Sequence, residues 1–374
     1  MEAYLDNSAT TFVCNEAADE MLNAVKNLWG NPSSLHQKGL DAEIYLEKAR
    51  AAVAKKIGAS KDEIVFTSGG TQSNNIAVFG ACNALKKRGN KIITTSVEHP
   101  SVSKAFDRLE AEGFQVIRLE TDRFGLISLS QLEKELDSNT VFVSIMAVNN
   151  ELGTIEPIEE AGKLIRQKSS AVFHVDAVQA FGKLSLNVSK IGCDLLSVSS
   201  HKIHGPKGAG ALFVKKQTKL VSSVVGGGQE RDIRPGTEPM PAIAGFFGAV
   251  NALETEKSLE KVRKLRDEFV SSLEEIDGVV INSGKNALPY IVNLSLPGYP
   301  SEAVLNFLSD NEVYVSSGSA CAKGHKSPVL TAAGLDSALI NSSLRVSLSR
   351  YSEKEELDLF INSIKAAMKI IRKK

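Results

Sequence analysis

Short apolar runs alternate with amphipathic stretches through the middle of the chain. Residues 64–67, 91–95, 115–119, 141–147, 171–175, 195–198 and 211–214 read as strands. Between several of them, over 71–85, 101–112, 129–136 and 158–167, apolar residues recur at helical spacing. Strands that are largely apolar and separated by helices predict a mostly parallel sheet covered on both faces. Such sheets place ligand sites beyond the carboxyl ends of their strands.

Upstream, a helical pattern over 17–57 is broken by the turn formers Gly30, Asn31, Pro32, Ser33 and Ser34, and its second part, 43–56, ends at Gly58. Downstream, one long helix is predicted over 242–273. Beyond it, strands at 290–296 and 312–316 and helices at 301–308 and 353–371 predict a smaller α+β region. A chain of 374 residues exceeds one simple core. The expected organisation is α/β: a large domain over 14–255, and a small one built from 1–13 together with 256–374.

Composition narrows the partners. The 44 basic and 44 acidic residues cancel, so no overall field attracts nucleic acid or an anionic membrane. No apolar run has the length of a membrane span, and the first residues lack the pattern of a secretory signal. The four cysteines, Cys14, Cys82, Cys193 and Cys321, match no paired metal-ligand spacing and are too few for a disulfide scaffold. A cytoplasmic protein without a structural metal is expected.

Candidate chemistry lies at the predicted strand ends. In Ser199-Ser200-His201-Lys202, a lysine follows a strand among hydroxyls and histidines. Its amine can hold a carbonyl cofactor as a Schiff base, with Ser199 and His201 as phosphate donors; a polar surface loop has the same composition. Asp176 follows another strand, placed to pair with a protonated ring nitrogen or to cap a helix. Gln179 is three residues on, within reach of a ring hydroxyl. Gly69-Gly70-Thr71 joins a strand to a helix and can admit an anion to backbone N–H groups. His99 can stack on an aromatic ring and exchange protons. Asn150 can bond a ring oxygen, or serve a plain turn.

Taken in order, these residues resemble the fold-type I pyridoxal-phosphate (PLP) enzymes, and among them the class V aminotransferase group. The resemblance is closest to cysteine desulfurases of the bacterial iron–sulfur and nitrogen-fixation type. It runs from Tyr4-Leu5-Asp6-Asn7-Ser8-Ala9-Thr10-Thr11 through Asn31-Pro32, Gly70-Thr71, Glu98-His99, Asn149-Asn150-Glu151, Asp176, the lysine segment and Gly226-Gly227-Gly228-Gln229-Glu230 to Arg345. It implies that Lys202 carries PLP as an internal aldimine, that Asp176 pairs with the pyridinium, and that His99 stacks on the ring. It implies that Asn150 and Gln179 bind the ring oxygen, and that Gly70, Thr71, Ser199 and His201 hold the phosphate. Thr237 resembles the threonine that reaches a neighbouring subunit's phosphate, which implies a homodimer.

Cys321 separates a desulfurase from an aminotransferase. It lies among Gly, Ser, Ala and Lys residues, in a stretch that reads as an exposed loop, with Lys323, His325 and Lys326 close by. Nearby cations favour the nucleophilic thiolate. By resemblance, Arg345 holds the carboxylate of L-cysteine, and Cys321 takes its sulfur as a persulfide for delivery to an acceptor protein. Cys82 and Cys193 fall in helix and strand patterns that read as core. The stretch after Cys321 is shorter than in the housekeeping desulfurases, which bears on the acceptor served. Selenocysteine lyase and class V aminotransferase activity are the alternatives.

Overall fold

The computed structural model describes residues 2–317 and 327–373. Its strands are β1 Ala3–Tyr4, β2 Ile64–Thr67, β3 Lys91–Thr95, β4 Gln115–Leu119, β5 Thr140–Met146, β6 Val172–Asp176, β7 Leu195–Ser199, β8 Gly210–Val214, β9 Val280–Ile281, β10 Ile291–Ser295, β11 Val313–Tyr314 and β12 Ser343–Ser347. The seven strands predicted between residues 64 and 214 form one sheet in the order β2-β8-β7-β6-β5-β3-β4. β3 pairs in parallel with β4 and β5, β5 with β6, and β6 with β7. β8 runs antiparallel to both β7 and β2. β2 and β7 therefore point the same way, and the carboxyl ends of β2, β3, β5, β6 and β7 share one edge.

Residues of this sheet alternate between two packed faces, as the period of a strand requires. Val65, Leu195 and Leu212 pack with Ala77, Val78, Ala81 and Cys82 of the helix Gly70–Leu85. Phe66, Val198 and Phe213 lie in the cluster that holds Phe246 and Ala249 of the helix Met240–Asn251. Gly210 opposes Thr67 on one side and Ser199 on the other. A Cβ at Gly210 would stand 2.6 Å from Gly69 Cα and 2.7 Å from the Val198 oxygen. Only glycine lets the turn after β2 lie this close to the end of β7.

The long helix predicted over 242–273 is two helices, Met240–Asn251 and Thr255–Glu274. No proline or glycine marks the break. Its carbonyls are capped from far along the chain: Arg350 Nη1 donates to Ala252 O at 2.9 Å, and Lys56 Nζ to Leu253 O at 3.1 Å. Helix ends need such partners, and here tertiary contacts supply them. The first helix is buried almost throughout, whereas Thr255–Glu274 buries only Val262, Phe269 and Leu273.

Beyond the break, β10 lies antiparallel between β9 and β12. The sequence reading named no strand at β12, although Ser343, Arg345 and Ser347 alternate with apolar residues as in a strand with one face in solvent. All five residues are nonetheless buried. β1 pairs in parallel with β11, and Asp6 bridges to Ser347, so the start of the chain is tied to its last third. Phe269 meets Phe360 of the helix Lys354–Ile370 at 5.4 Å between ring centroids, covering this smaller sheet with two helices. Among the described residues, no helix is long and apolar enough to cross a membrane.

One buried ion pair straps the loop that carries Thr237 to the large sheet. In the helix Gln37–Ile57, Arg50 grips both carboxylate oxygens of Glu230, at 2.7 and 2.9 Å, and also donates to Ile64 O at 2.8 Å. Glu230 accepts from Phe66 N at 2.8 Å while holding a left-handed backbone, φ +47°. Removing one partner leaves a buried charge uncompensated. Arg50→Met is expected to destabilise the large unit by about 3–5 kcal/mol, seen as a lower melting or denaturant midpoint, with Glu230→Gln less severe because Arg50 keeps Glu47 at 2.9 Å and an amide oxygen in place of the carboxylate.

Candidate active site

The turn after β2 forms one wall of the site. Gly69 holds φ +143°, and the helix Gly70–Leu85 starts immediately after it with its first N–H groups facing out of the turn. Ser199, the last residue of β7, is fully buried, and its Oγ has no hydrogen-bond partner. That hydroxyl lies 3.8 Å from where a Cβ of Gly69 would stand. A buried hydroxyl without a partner beside the N-terminus of a helix is a fit for an anionic group. Thr71 is exposed at the second helical position. His201 pairs its Nδ1 with Thr10 Oγ1 at 3.2 Å. Burial, and then the Lys202, Lys207 and Lys183 charges, push His201 down to about 4, so the ring is neutral at pH 7 and carries one N–H. Thr237 is exposed, and among the described residues no hydrogen bond joins it to Gly70, Ser199 or His201.

Asp176, the last residue of β6, anchors the floor. Its Oδ2 accepts from Asn74 Nδ2 at 2.7 Å and its Oδ1 from Val178 N at 3.0 Å. Asn74 Nδ2 also donates to Ser101 Oγ at 2.8 Å, and that hydroxyl lies 2.8 Å from His99 Nδ1. Asp176 and His99 are thus joined through Asn74 and Ser101. His99 is also the N-cap of the helix Pro100–Ala111, with Nδ1 accepting from Ser101 N at 3.1 Å. Burial lowers the His99 imidazole, Asp176 pulls it back up, and Lys202 lowers it again. The sensitivity of His99 to both groups places all three in one electrostatic unit.

The start of the chain reaches in from the other side. Lys202 Nζ donates to the main-chain oxygens of Ser8 and of Ala9, the latter at 2.8 Å. Gln179 Nε2 donates to the same Ser8 oxygen at 2.9 Å, so Gln179 and Lys202 share an acceptor. Arg345, in the middle of β12, is buried; its Nη2 lies 2.8 Å from Asp6 Oδ1 and its Nη1 3.1 Å from Asn150 O. Its Nε is buried without a partner, as is Asn150 Oδ1. The partnerless Nε–H of this guanidinium can donate to a small carboxylate ligand, and the Asn150 amide oxygen is left to accept from an N–H or O–H. The Arg345 main chain exchanges hydrogen bonds with Ser316, at 2.7 and 3.2 Å. Ser327 Oγ donates to Glu151 at 2.6 Å. Cys321, with Lys323, His325 and Lys326, lies outside the described residues.

The sequence reading missed the supporting groups: Asp6, the Ser8 and Ala9 carbonyls, Asn74, Ser101 and Lys183. Only the run that starts at Tyr4 signalled any of them, and the signal was resemblance. Three carboxylates behind the site, Glu98, Glu151 and Glu156, had no role in the sequence reading. Burial and the Asp176 charge push Glu98 well above the usual carboxylate range. Burial pushes Glu151 up to about 7 and Glu156 up to about 8. A carboxyl that is raised in the fold binds a proton more tightly there than in the unfolded chain. Its stability contribution is therefore greatest at low pH and is lost as pH climbs towards 8. Glu156→Gln is expected to melt above wild type at pH 9, with the gap closing by pH 5; thermal melts at both values measure this.

The aminotransferase class-V family model matches residues 3–360. The cysteine desulfurase IscS of Dictyoglomus turgidum is 41% identical over 377 residues, covering 99% of this chain and 95% of that protein. The putative cysteine desulfurase IscS 1 of Bacillus subtilis is 41% identical over 362 residues, 95% of each chain. Among solved structures, a NifS-like protein superposes with TM-score 0.94 at 36% identity, covering 99% of this chain and all of that one. SspA in complex with cysteine superposes at 0.84 with 37% identity, covering 94% of this chain and 100% of that one. With its sheet, its strand-end residues and its full-length relatives in agreement, the chain belongs to the aminotransferase class-V family and, within it, to the cysteine desulfurases of the IscS and NifS kind.

Proposed function

We propose that this desulfurase holds PLP on Lys202, binds L-cysteine through Arg345, and takes the substrate sulfur onto Cys321. When bound, PLP supplies an electron sink for the bonds of the amino acid. Asp176, fixed by Asn74 and Val178, would hold the proton of the ring nitrogen, and His99 would lie against the ring face. Gly70, Thr71, Ser199 and His201 would hold the phosphate; Asn150 and Gln179 would hold the ring oxygen. The partnerless Ser199 hydroxyl at the head of the helix Gly70–Leu85 is the observation that carries the cofactor assignment.

Arg345 orients the substrate carboxylate by its planar fork. Lys202 moves the α-proton, with His99 as a second carrier. Cys321 thiolate attacks the substrate sulfur; the S–S bond forms as the C–S bond breaks, and the electron pair stays on carbon until a proton completes L-alanine. The products are L-alanine and a Cys321 persulfide, and the sum balances with no outside oxidant. Support for Cys321 comes from the other three thiols. Cys14, Cys82 and Cys193 are buried, and burial raises all of them, Cys193 to about 12, so none is a ready thiolate. Arg345 pairs with Ser316, five residues before Cys321 in the chain.

In this reading, residues 14–255 hold the cofactor, and residues 1–13 and 256–374 bring Arg345 and Cys321. The enzyme works as a cytoplasmic homodimer in which Thr237 reaches the partner's phosphate site. Exposed Val221, Val224 and Val225 precede Thr237 on its loop, and Trp29 and Leu35 stand exposed in the turn between the helices Asn15–Asn27 and Gln37–Ile57, as surfaces covered by a second copy would. A sulfur-acceptor protein then takes the persulfide.

Lys202→Ala is expected to abolish the visible cofactor absorbance and turnover together. Cys321→Ala is expected to keep the absorbance and lose sulfur release. Mass spectrometry of wild type after L-cysteine should find one added sulfur on the peptide containing Cys321; unchanged desulfuration by Cys321→Ala would refute its role.

A further inference from the structure

Lys183 has no part in the chemistry above, yet it is buried against the residues that perform it. It is 6% exposed, and its Nζ lies 5.6 Å from the centre of the Tyr290 ring. Its hydrogen bond is to Gln179 Oε1, at 3.1 Å. No carboxylate pairs with it among the described residues. A buried lysine amine without a carboxylate is costly to charge, and its place against this site calls for a reason.

The contacts fix which way the Gln179 amide faces. A lysine amine at this site donates to Oε1, and the Ser8 carbonyl can only accept, so it must face Nε2. Both neighbours demand the same orientation. The amide NH2 carries two protons, and Ser8 O takes one of them. That oxygen also accepts from Lys202 Nζ, so the Gln179 NH2 and the Lys202 amine meet at one oxygen, with the second Nε2 proton left over.

We propose that Lys183 is a positioning residue: it locks the Gln179 amide so that its NH2, and not its oxygen, meets the ring oxygen of the cofactor on Lys202. The inference rests on the PLP reading above. The groups that act on Lys183 agree with it. Burial, and then the Lys202 and Arg345 charges, lower Lys183 to about 7, and Lys183 in turn lowers His201 and His204. The charges that lower Lys183, Lys202 and Arg345, are both cationic, and Arg345 in turn pairs with Asp6. An amide donor at the ring oxygen and a positive charge behind it both weaken proton binding at the Lys202 nitrogen.

The test is a pH titration of the cofactor's visible band in purified holoenzyme, comparing wild type, Lys183→Met, Lys183→Arg and Gln179→Leu. Lys183→Met removes the lock and the charge, and its midpoint is expected to rise by about one pH unit, tenfold in proton affinity. Lys183→Arg keeps both, and its midpoint is expected to return towards wild type. Gln179→Leu leaves Lys183 in place and is expected to raise the midpoint in the same direction. Once Gln179 is gone, adding Lys183→Met should move it less than it does in wild type. A merely structural lysine would lower the melting temperature and leave the midpoint where it was. A folded, coloured Lys183→Met with the wild-type midpoint overturns the proposal, as does a Gln179→Leu variant with that midpoint. Wild-type protein that stays colourless with PLP overturns the cofactor reading as well.

Discussion

A sheet buried on both faces can offer polar side chains only where its strands end, and that constraint organises the molecule. The direction of β8 decides which ends are usable. Because β8 runs against both β2 and β7, the turn at Gly69 opens on the same edge as Ser199, Asp176, Asn150 and His99. Had β2 pointed the other way, the head of the helix Gly70–Leu85 would lie at the far edge of the sheet, away from Lys202. The close approach at Gly210, with no room for a Cβ, keeps the two sides of this pocket together.

Electrostatics divides the carboxylates of the region by their hydrogen bonds. Asp176 has donors on both oxygens, from Asn74 and Val178. Glu98 and Glu156 lie deeper and each keep one oxygen without a partner. Burial raises both, so they favour the neutral form behind the floor that Asp176 makes. Opposite it stand Lys202, Lys183 and Arg345. Arg345 pairs with the carboxylate of Asp6, and Lys183 is held by an amide oxygen. Cationic groups gathered on this side suit a site that receives a phosphate and an amino-acid carboxylate.

The first dozen residues show how a site can depend on chain that looks like a terminus. β1 pairs with β11, and Asp6 and Asn7 bind Ser347 and Arg345 of β12. The same segment then passes its Ser8 and Ala9 carbonyls to Lys202 and Gln179. Main-chain carbonyls have no signature in a sequence, so this wall of the pocket was legible only as a stretch resembling a family's opening motif. The Arg350 and Lys56 caps that split the helices Met240–Asn251 and Thr255–Glu274 were hidden for the same reason: each partner is far away in the chain.

By itself, the sequence determined the seven strands of the large sheet, the helices between them, and which side chains fall at strand ends. Those features follow from local periodicity and from turn residues a few positions apart. It also marked Lys202, Asp176, His99 and Arg345 through residue type and motif. Tertiary structure alone decided that β12, with its alternating serines and arginine, is fully buried, that Asn74 and Ser101 join Asp176 to His99, and that Lys183 points at Gln179. Those relations are set by the packing of segments up to hundreds of residues apart. A polar side chain reads the same in sequence whether water or another side chain satisfies it.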